Sequence, residues 1–188
     1  GPTPKALTMR TRNKLIAAAA MPAFLLLLGG CAALFDKHPV GNRMVPQPAR
    51  SVEISRYLGR WYELARYEQG FQKDCDSVTA DYSLRDDGKI RVINRCMKPD
   101  GREKQATGRA KIVDAATNAK LKVSFFGPFY GDYWVLDRAE DYSWAIVGEP
   151  SGRYLWILSR EAVPGAAKVD ELIARAGALG YDTSMLRR

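Results

Sequence analysis

The chain has 188 residues, 46% of them hydrophobic and 27% charged, the length of one globular domain able to bury a core, which excludes a disordered chain and a multi-span membrane protein. The formal net charge is +8, but Lys5, Arg10, Arg12 and Lys14 fall in the first 30 residues, which hold no Asp or Glu, so the remainder carries only +4. No cluster of Lys and Arg interleaved with aromatics occurs, and this balance points to a solvated surface rather than to nucleic acid.

From Met9 the chain reads as a basic segment, an apolar run through Leu15-Ile16, alanines and residues 24–28, and then Gly29-Gly30-Cys31. A charged region, an apolar region and small residues at a cleavage point describe a signal peptide over 1–30, with 1–8 as an extension before the start. Pro22 interrupts the run and no uncharged 18-residue stretch continues beyond Cys31, which argues against a permanent transmembrane helix. Leu28-Gly29-Gly30-Cys31 resembles the lipobox of bacterial lipoproteins, whose cysteine becomes the lipidated first residue of the mature chain. Ala32, rather than Asp, follows that cysteine, and the resemblance then implies an outer-membrane, lipid-anchored protein facing the periplasm. Acyl chains hold such an anchor at about 0.8 kcal/mol per buried methylene. Residues 31–50 carry Pro39, Gly41, Pro46 and Pro48 without hydrophobic period. They read as the lipidated cysteine and a flexible tether with a reach of roughly 60 Å when extended.

The folded domain is assigned to 51–188. Residues 52–58 form a short helical turn that delivers the chain to Gly59, and the first strand runs over about 61–68. Residues 78–84 and 90–94 alternate with period two around Asp86-Asp87-Gly88, a hairpin signal because Asp-Gly tolerates the positive φ of a tight turn. A two-residue Asp87-Gly88 turn sets Cys96 opposite Thr79. Further strands are read at 105–113, with Gly108 as a bend or bulge, and at 119–125, 133–136, 144–147 and 154–159. Pro99-Asp100-Gly101, Gly127-Pro128 and Pro150-Ser151-Gly152 separate them. Eight evenly spaced strands favour an all-β, up-and-down antiparallel barrel, because closure removes the edges. Over 166–179, Val169, Leu172, Ile173 and Ala176 recur at helical spacing and Gly177 and Gly180 mark the end, which gives one C-terminal α-helix packed outside the barrel. Residues 182–186 are a short extended piece able to add an edge strand.

Eight up-and-down strands followed by one helix resemble the lipocalins. Gly59-Arg60-Trp61-Tyr62 looks like their first motif, Gly-x-Trp-Tyr. Arg160, closing Leu155-Trp156-Ile157-Leu158-Ser159-Arg160, looks like the arginine of the third, which lies across the motif-one tryptophan. A guanidinium stacks on an indole and caps nearby carbonyls, so Gly59, Trp61 and Arg160 are assigned to closing the barrel base. Glu140-Asp141-Tyr142 stands in place of the second motif, Thr-Asp-Tyr, without matching it, and that loop is expected to hydrogen-bond differently. Val123-Ser124-Phe125-Phe126-Gly127-Pro128-Phe129-Tyr130-Gly131 and the Tyr154–Arg160 stretch look like the bacterial outer-membrane lipocalins. The resemblance covers about 52–186.

With Cys31 assigned to lipid, Cys75 and Cys96 remain, and in an oxidising periplasm a pair is expected to bond; the alternative is two unpaired thiols. In a meander that starts at the closed end both fall at the open mouth, and the chain must bend near Asp76-Ser77 to bring the sulfurs together. Period-two alternation gives an inward set of Glu63 and Ala65; Ala80, Tyr82 and Leu84; Val92 and Asn94; Ala110 and Ile112; Leu121, Val123 and Phe125; and Tyr154, Trp156 and Leu158. Of these, Glu63, Tyr82, Asn94, Leu121, Val123, Phe125, Tyr154 and Trp156 are the candidate ligand-binding residues. An apolar cavity with few polar groups suits a lipid; the alternative is a barrel packed solid by its own aromatics. Phe126, Phe129 and Tyr130 form an aromatic turn at the mouth, either exposed or folded in as a rim.

The only histidine, His38, lies in the tether. Its position removes imidazole base chemistry and His-ligated metal or haem from the domain, and no Gly-rich phosphate loop is present. No catalytic residue, metal or cofactor is therefore assigned. The leading expectation is a non-enzymatic, membrane-anchored carrier of fatty acids or lysophospholipids, with a homodimer left open. For such carriers the family resemblance implies lipid storage or transport and envelope maintenance. The alternatives are a lipocalin-fold enzyme acting on a lipid and a ligand-free interaction lipoprotein.

Overall fold

The computed structural model describes residues 38–188; the signal peptide assigned to 1–30 and the lipidation site at Cys31 lie outside the described residues. A single helical turn, α1 (Ile54–Tyr57), leads into eight strands: β1 (Gly59–Tyr67), β2 (Ser77–Leu84), β3 (Ile90–Met97), β4 (Glu103–Ile112), β5 (Lys120–Phe126), β6 (Phe129–Arg138), β7 (Trp144–Gly148) and β8 (Leu155–Ser159). Helix α2 (Ala166–Ala178) and a two-residue strand β9 (Leu186–Arg187) follow. Each strand pairs antiparallel with the next, and β1 pairs with both β2 and β8, so the sheet closes into a barrel. The pairing of β1 with β2 ends at Tyr62 opposite Thr79. The far half of β1 is left open on that side, and β9 fills the gap with Arg187 opposite Arg66 and Leu186 opposite Tyr67.

Two apolar cores explain the hydrophobic pattern. One fills the barrel and includes Trp61, Tyr82, Val92, Leu121, Val147 and Leu158. The other lies between the outer wall and α2, where Leu172 and Ala176 cover Leu136, Ile146, Leu155 and Ile157. Strands β7 and β8 are covered on both faces, which is why Trp144-Ala145-Ile146-Val147 and Leu155-Trp156-Ile157-Leu158 are apolar throughout instead of alternating.

Four details differ from the sequence-based expectations. The β2–β3 turn spans three residues, Asp86 to Gly88, with the Arg85 amide bonded to the Lys89 carbonyl at 2.7 Å and Gly88 at φ +79. Cys96 consequently lies opposite Val78, not Thr79. Directly paired residues share a face of the sheet, so only this register sets the inward Tyr82 against the inward Val92. Secondly, Gly108 forms no bulge, since the β3–β4 ladder runs unbroken through it. Its missing side chain makes room for the Phe125 ring, which a Cβ at that position would meet at 2.7 Å.

Thirdly, β1 carries a bulge between Glu63 and Ala65, Glu63 facing Leu158 and Ala65 facing Ile157. Leu64 is the extra residue, so Ala65 turns outward into the core under α2 and the inward position passes to Arg66, opposite Trp156. Fourthly, residues 38–50, expected within the tether, run along the barrel. The Gly41 and Asn42 amides donate to the Gly152 carbonyl at 2.8 and 3.2 Å, the Ala49 amide to Leu136 and the Val52 amide to Thr117. The segment thus passes from the β7–β8 loop at one end of the barrel to the β4–β5 loop at the other. Gly152 fits it closely, because a Cβ there would stand 1.8 Å from the Asn42 carbonyl oxygen.

Candidate functional site

The closed end is built around Trp61, which is fully buried because Gly59 at φ +95 turns the chain from α1 into β1. Its indole N–H donates to the Tyr57 carbonyl at 2.8 Å. The Arg160 guanidinium lies 3.7 Å from the ring centroid and donates to the carbonyls of Arg60, Arg56 and Leu58 at 2.8 to 2.9 Å. One cation thus covers the indole and satisfies the carbonyls that α1 leaves open at its end. Tyr142, in the loop before β7, has φ +60. Its hydroxyl accepts from the Glu53 amide at 2.8 Å, and Arg56 and Arg138 lie 4.4 and 4.2 Å over its ring.

Above this floor three phenols meet in mid-barrel. The Tyr133 hydroxyl is 2.6 Å from that of Tyr57 and 2.9 Å from that of Tyr82. Burial pushes the ionisation of Tyr57 and Tyr133 well above the ordinary tyrosine value and that of Tyr82 to about 12. All three are neutral at any physiological pH, so the layer is polar and uncharged.

From this layer to the mouth the inner wall opens. Trp156 stacks on Tyr133 below it and on Tyr154 above it, with centroids 6.5 and 5.9 Å apart. Around the lumen Asn94, Val123, Phe125, Tyr154 and Trp156 are all half-buried, and Ala106 and Gly131 are exposed although they pair with the inward Asn94 and Val123. Leu121 lies deeper and is buried. Leu84 and Ile112, in phase with the inward set, sit at strand ends beyond the floor and are 64% and 38% exposed. Two hollows, about 410 Å³ beside the β2–β3 turn and about 290 Å³ near His38, Tyr67 and Arg153, include none of these upper-lumen residues.

One side of the upper lumen is polar. Gln72, in the β1–β2 loop, reaches inward: its amide N–H donates to Glu63 at 2.8 Å and its carbonyl oxygen accepts from the Trp156 indole at 3.1 Å. Arg66 donates to Glu63 at 3.1 Å, to Glu68 and to the backbone carbonyls of Gln72 and Cys75. Both Glu63 carboxylate oxygens are therefore engaged by protein groups. Burial raises the Glu63 pKa against the opposing pull of Gln72 and Arg66. The network fixes the loop across the lumen wall and orients Trp156. A disulfide between Cys75 and Cys96, with Cα atoms 5.4 Å apart, ties the same loop to β3. The chain bends at Asp74, φ +62, two residues before the Asp76 amide meets the Met97 carbonyl at 2.8 Å.

Sequence reasoning did not find Tyr57, Tyr133, Arg66 or Gln72. Tyr133 carried a usable signal, since it stands two residues before the inward Val135. Arg66 was hidden by the bulge, and a glutamine in an aperiodic loop gives no signal at all.

The Lipocalin-like domain family matches residues 52–188. The chain belongs to the lipocalins. This lipocalin is 42% identical over 176 residues to "Outer membrane lipoprotein Blc" of Escherichia coli, covering 90% of the chain and 92% of that protein. It is 41% identical over 164 residues to the Vibrio cholerae protein of the same name, covering 86% and 91%. "Temperature-induced lipocalin-1" of Arabidopsis thaliana is 38% identical over 148 residues, 74% of this lipocalin and 79% of that one. Among solved structures, insecticyanin of the tobacco hornworm superposes with a TM-score of 0.60 at 24% identity, over 76% of this chain and 82% of its own. The fold is thus the lipocalin barrel, and the mouth is its open end.

Proposed function

We propose that this lipocalin is a membrane-anchored carrier of a fatty acid or lysophospholipid, working in binding rather than catalysis. The observation that carries the reading is the split of the barrel interior. Below the three tyrosines it is packed; above them a half-exposed wall of Val123, Phe125, Tyr154 and Trp156 lines an opening whose mostly apolar chemistry suits an acyl chain. The chain enters with its tail against these residues and stops at the neutral phenol layer, and the head stays near the mouth beside Asn94. Glu63 serves by holding Gln72 and Trp156, not by meeting the ligand directly. The Blc proteins are named as outer membrane lipoproteins, which supports lipidation of Cys31, an outer-membrane anchor and a periplasm-facing domain, and with these a role in lipid storage or transport and envelope maintenance. Native mass spectrometry of the chain purified from a bacterial envelope tests this. A co-purifying lipid that is lost from Trp156→Ala is the expected result; a parent protein that carries no lipid and takes up none from added fatty acid or lysophospholipid overturns it.

A further inference from the structure

Three large apolar side chains stand out on the loops of the open end: Phe126 and Phe129 are 80% and 77% exposed, and Phe71 is 55% exposed. Each stands at or beside a connection that is tied down by hydrogen bonds. The β5–β6 turn is clamped by Arg109, which donates to the Gly127 carbonyl and to the Tyr130 hydroxyl at 2.6 and 2.8 Å, and by the Ser124 hydroxyl on the Gly127 carbonyl at 3.2 Å. Tyr130 is thereby drawn to the outer wall, while the two phenylalanines beside it remain in solvent. The loop that bears Phe71 is fixed by Arg66 and by the Cys75–Cys96 disulfide. Apolar groups presented on ordered loops mark a contact surface, because the entropy of fixing them has already been lost.

The course of the N-terminal segment says what that surface meets. The described chain begins at His38, whose ring lies 5.6 Å from Tyr154 at the mouth and whose carbonyl accepts from Arg153 at 3.1 Å. From there the segment descends the wall toward Thr117 at the closed end. Six residues, and so seven chain steps, separate Cys31 from His38, a contour of at most about 25 Å. A nine-residue strand such as β1, tilted as barrel strands are, gives a wall about 23 Å high. To rest the closed end on a membrane that holds Cys31, those seven steps would have to run nearly straight along the whole wall. To rest the mouth there, they need span almost no distance. The loops at the mouth carry nearly balanced charge, with Lys73, Asp74, Asp76, Lys98, Asp100 and Arg102 among them, so contact is by apolar insertion rather than attraction to anionic headgroups.

We propose that the open end of the barrel lies against the membrane that anchors the chain, with Phe71, Phe126 and Phe129 set into its headgroup boundary, so that a lipid passes between bilayer and lumen without crossing water. The proposal rests on the anchored reading given above, and the two can fail separately. The test places a photo-crosslinking phenylalanine analogue at 129, or as controls at the exposed closed-end positions 84 and 113, in the full chain in bacterial envelopes, and reads adducts by mass spectrometry. Diacyl phospholipid adducts at 129 at least ten times those at 84 and 113 are expected, and they persist when Gly131→Leu narrows the lumen. Equal labelling at both ends, labelling mainly at 84 and 113, a protein adduct instead of lipid at 129, or none on a lipidated chain overturns the orientation alone. An intact mass showing an unlipidated Cys31 removes both readings. Adducts at 129 on a chain whose lumen takes no lipid keep the orientation and remove the carrier.

Discussion

Gly131 offers the sharpest test of whether an acyl chain occupies the upper lumen. It pairs with the inward Val123 on the wall of the opening, and a Cβ added there would have nothing within 4 Å. Its φ lies outside the left-handed region, so the Cβ of Gly131→Leu meets neither strain nor clash, and removing a strand glycine favours the fold. The leucine projects four carbons into the space the ligand would fill. Displacing about three methylenes of an acyl chain forfeits about 2.4 kcal/mol at about 0.8 kcal/mol each, or about 50-fold in Kd. Isothermal titration of a long-chain fatty acid into parent and variant reads this directly, with thermal unfolding alongside. Gly108→Ala is the contrasting control, since its Cβ would lie 2.6 Å from the Ser124 carbonyl oxygen and should cost about 1–3 kcal/mol of stability. A Gly131→Leu protein of parental stability and parental Kd would refute the placement of the chain beside Val123 and Phe125.

Three further outcomes are expected. Replacing Cys75 and Cys96 together by serine removes a link of sequence separation 21 and should lower stability by about 3 kcal/mol in urea unfolding; an unchanged midpoint would show that the loop does not depend on it. Glu63 and Glu68 should respond to pH with opposite sign. Burial raises the folded pKa of Glu63 above its ordinary 4.5, so its favourable share is complete below that value and fades as pH climbs through the raised one; Glu63→Gln should gain on the parent as pH rises above 4.5. Although burial pulls Glu68 up, Arg187 and Arg66 hold it lower. Its share is present above 4.5 and lost as pH falls through the depressed value, so Glu68→Gln should lose ground on the parent as pH rises toward 4.5 from below, and slopes of the same sign in urea midpoints on the two sides of 4.5 would contradict the assignments. Gly152→Ala, at φ +71 and with no room beside Asn42, should free the 41–42 segment, seen as faster hydrogen exchange of the Gly41 and Asn42 amides; unchanged protection would argue that the segment is held elsewhere.

The barrel was legible because most of its strands have one wet face, so Val78 to Leu84 and Leu121 to Phe125 show period two plainly, and α2 was legible from the spacing of Val169, Leu172, Ile173 and Ala176. Turn chemistry located the β2–β3 hairpin but not its length, since Asp86-Asp87-Gly88 suits a two-residue and a three-residue turn alike; only the demand that Tyr82 and Val92 share a face decides. The 38–50 segment read as a tether because its bonds to Gly152 and Leu136 are made by backbone amides and leave no side-chain pattern. The upper lumen was half legible. Alternation placed Val123, Phe125 and Trp156, whereas the groups that hold Trp156 come from a loop and from beyond a bulge, where alternation has no authority.

That bulge has a consequence for how the chain tolerates insertion and deletion. Glu63 stands opposite Leu158, Ala65 opposite Ile157 and Arg66 opposite Trp156, so the ladder is complete without Leu64. Deleting Leu64 would leave every neighbour on its present side of the wall. Deleting Tyr62 or Glu63 instead would carry the residues before it one step along, turning Trp61 out of the barrel and Arg60 into it. Within one nine-residue strand, a single position can be dropped with the message intact, while the loss of one beside it garbles the start.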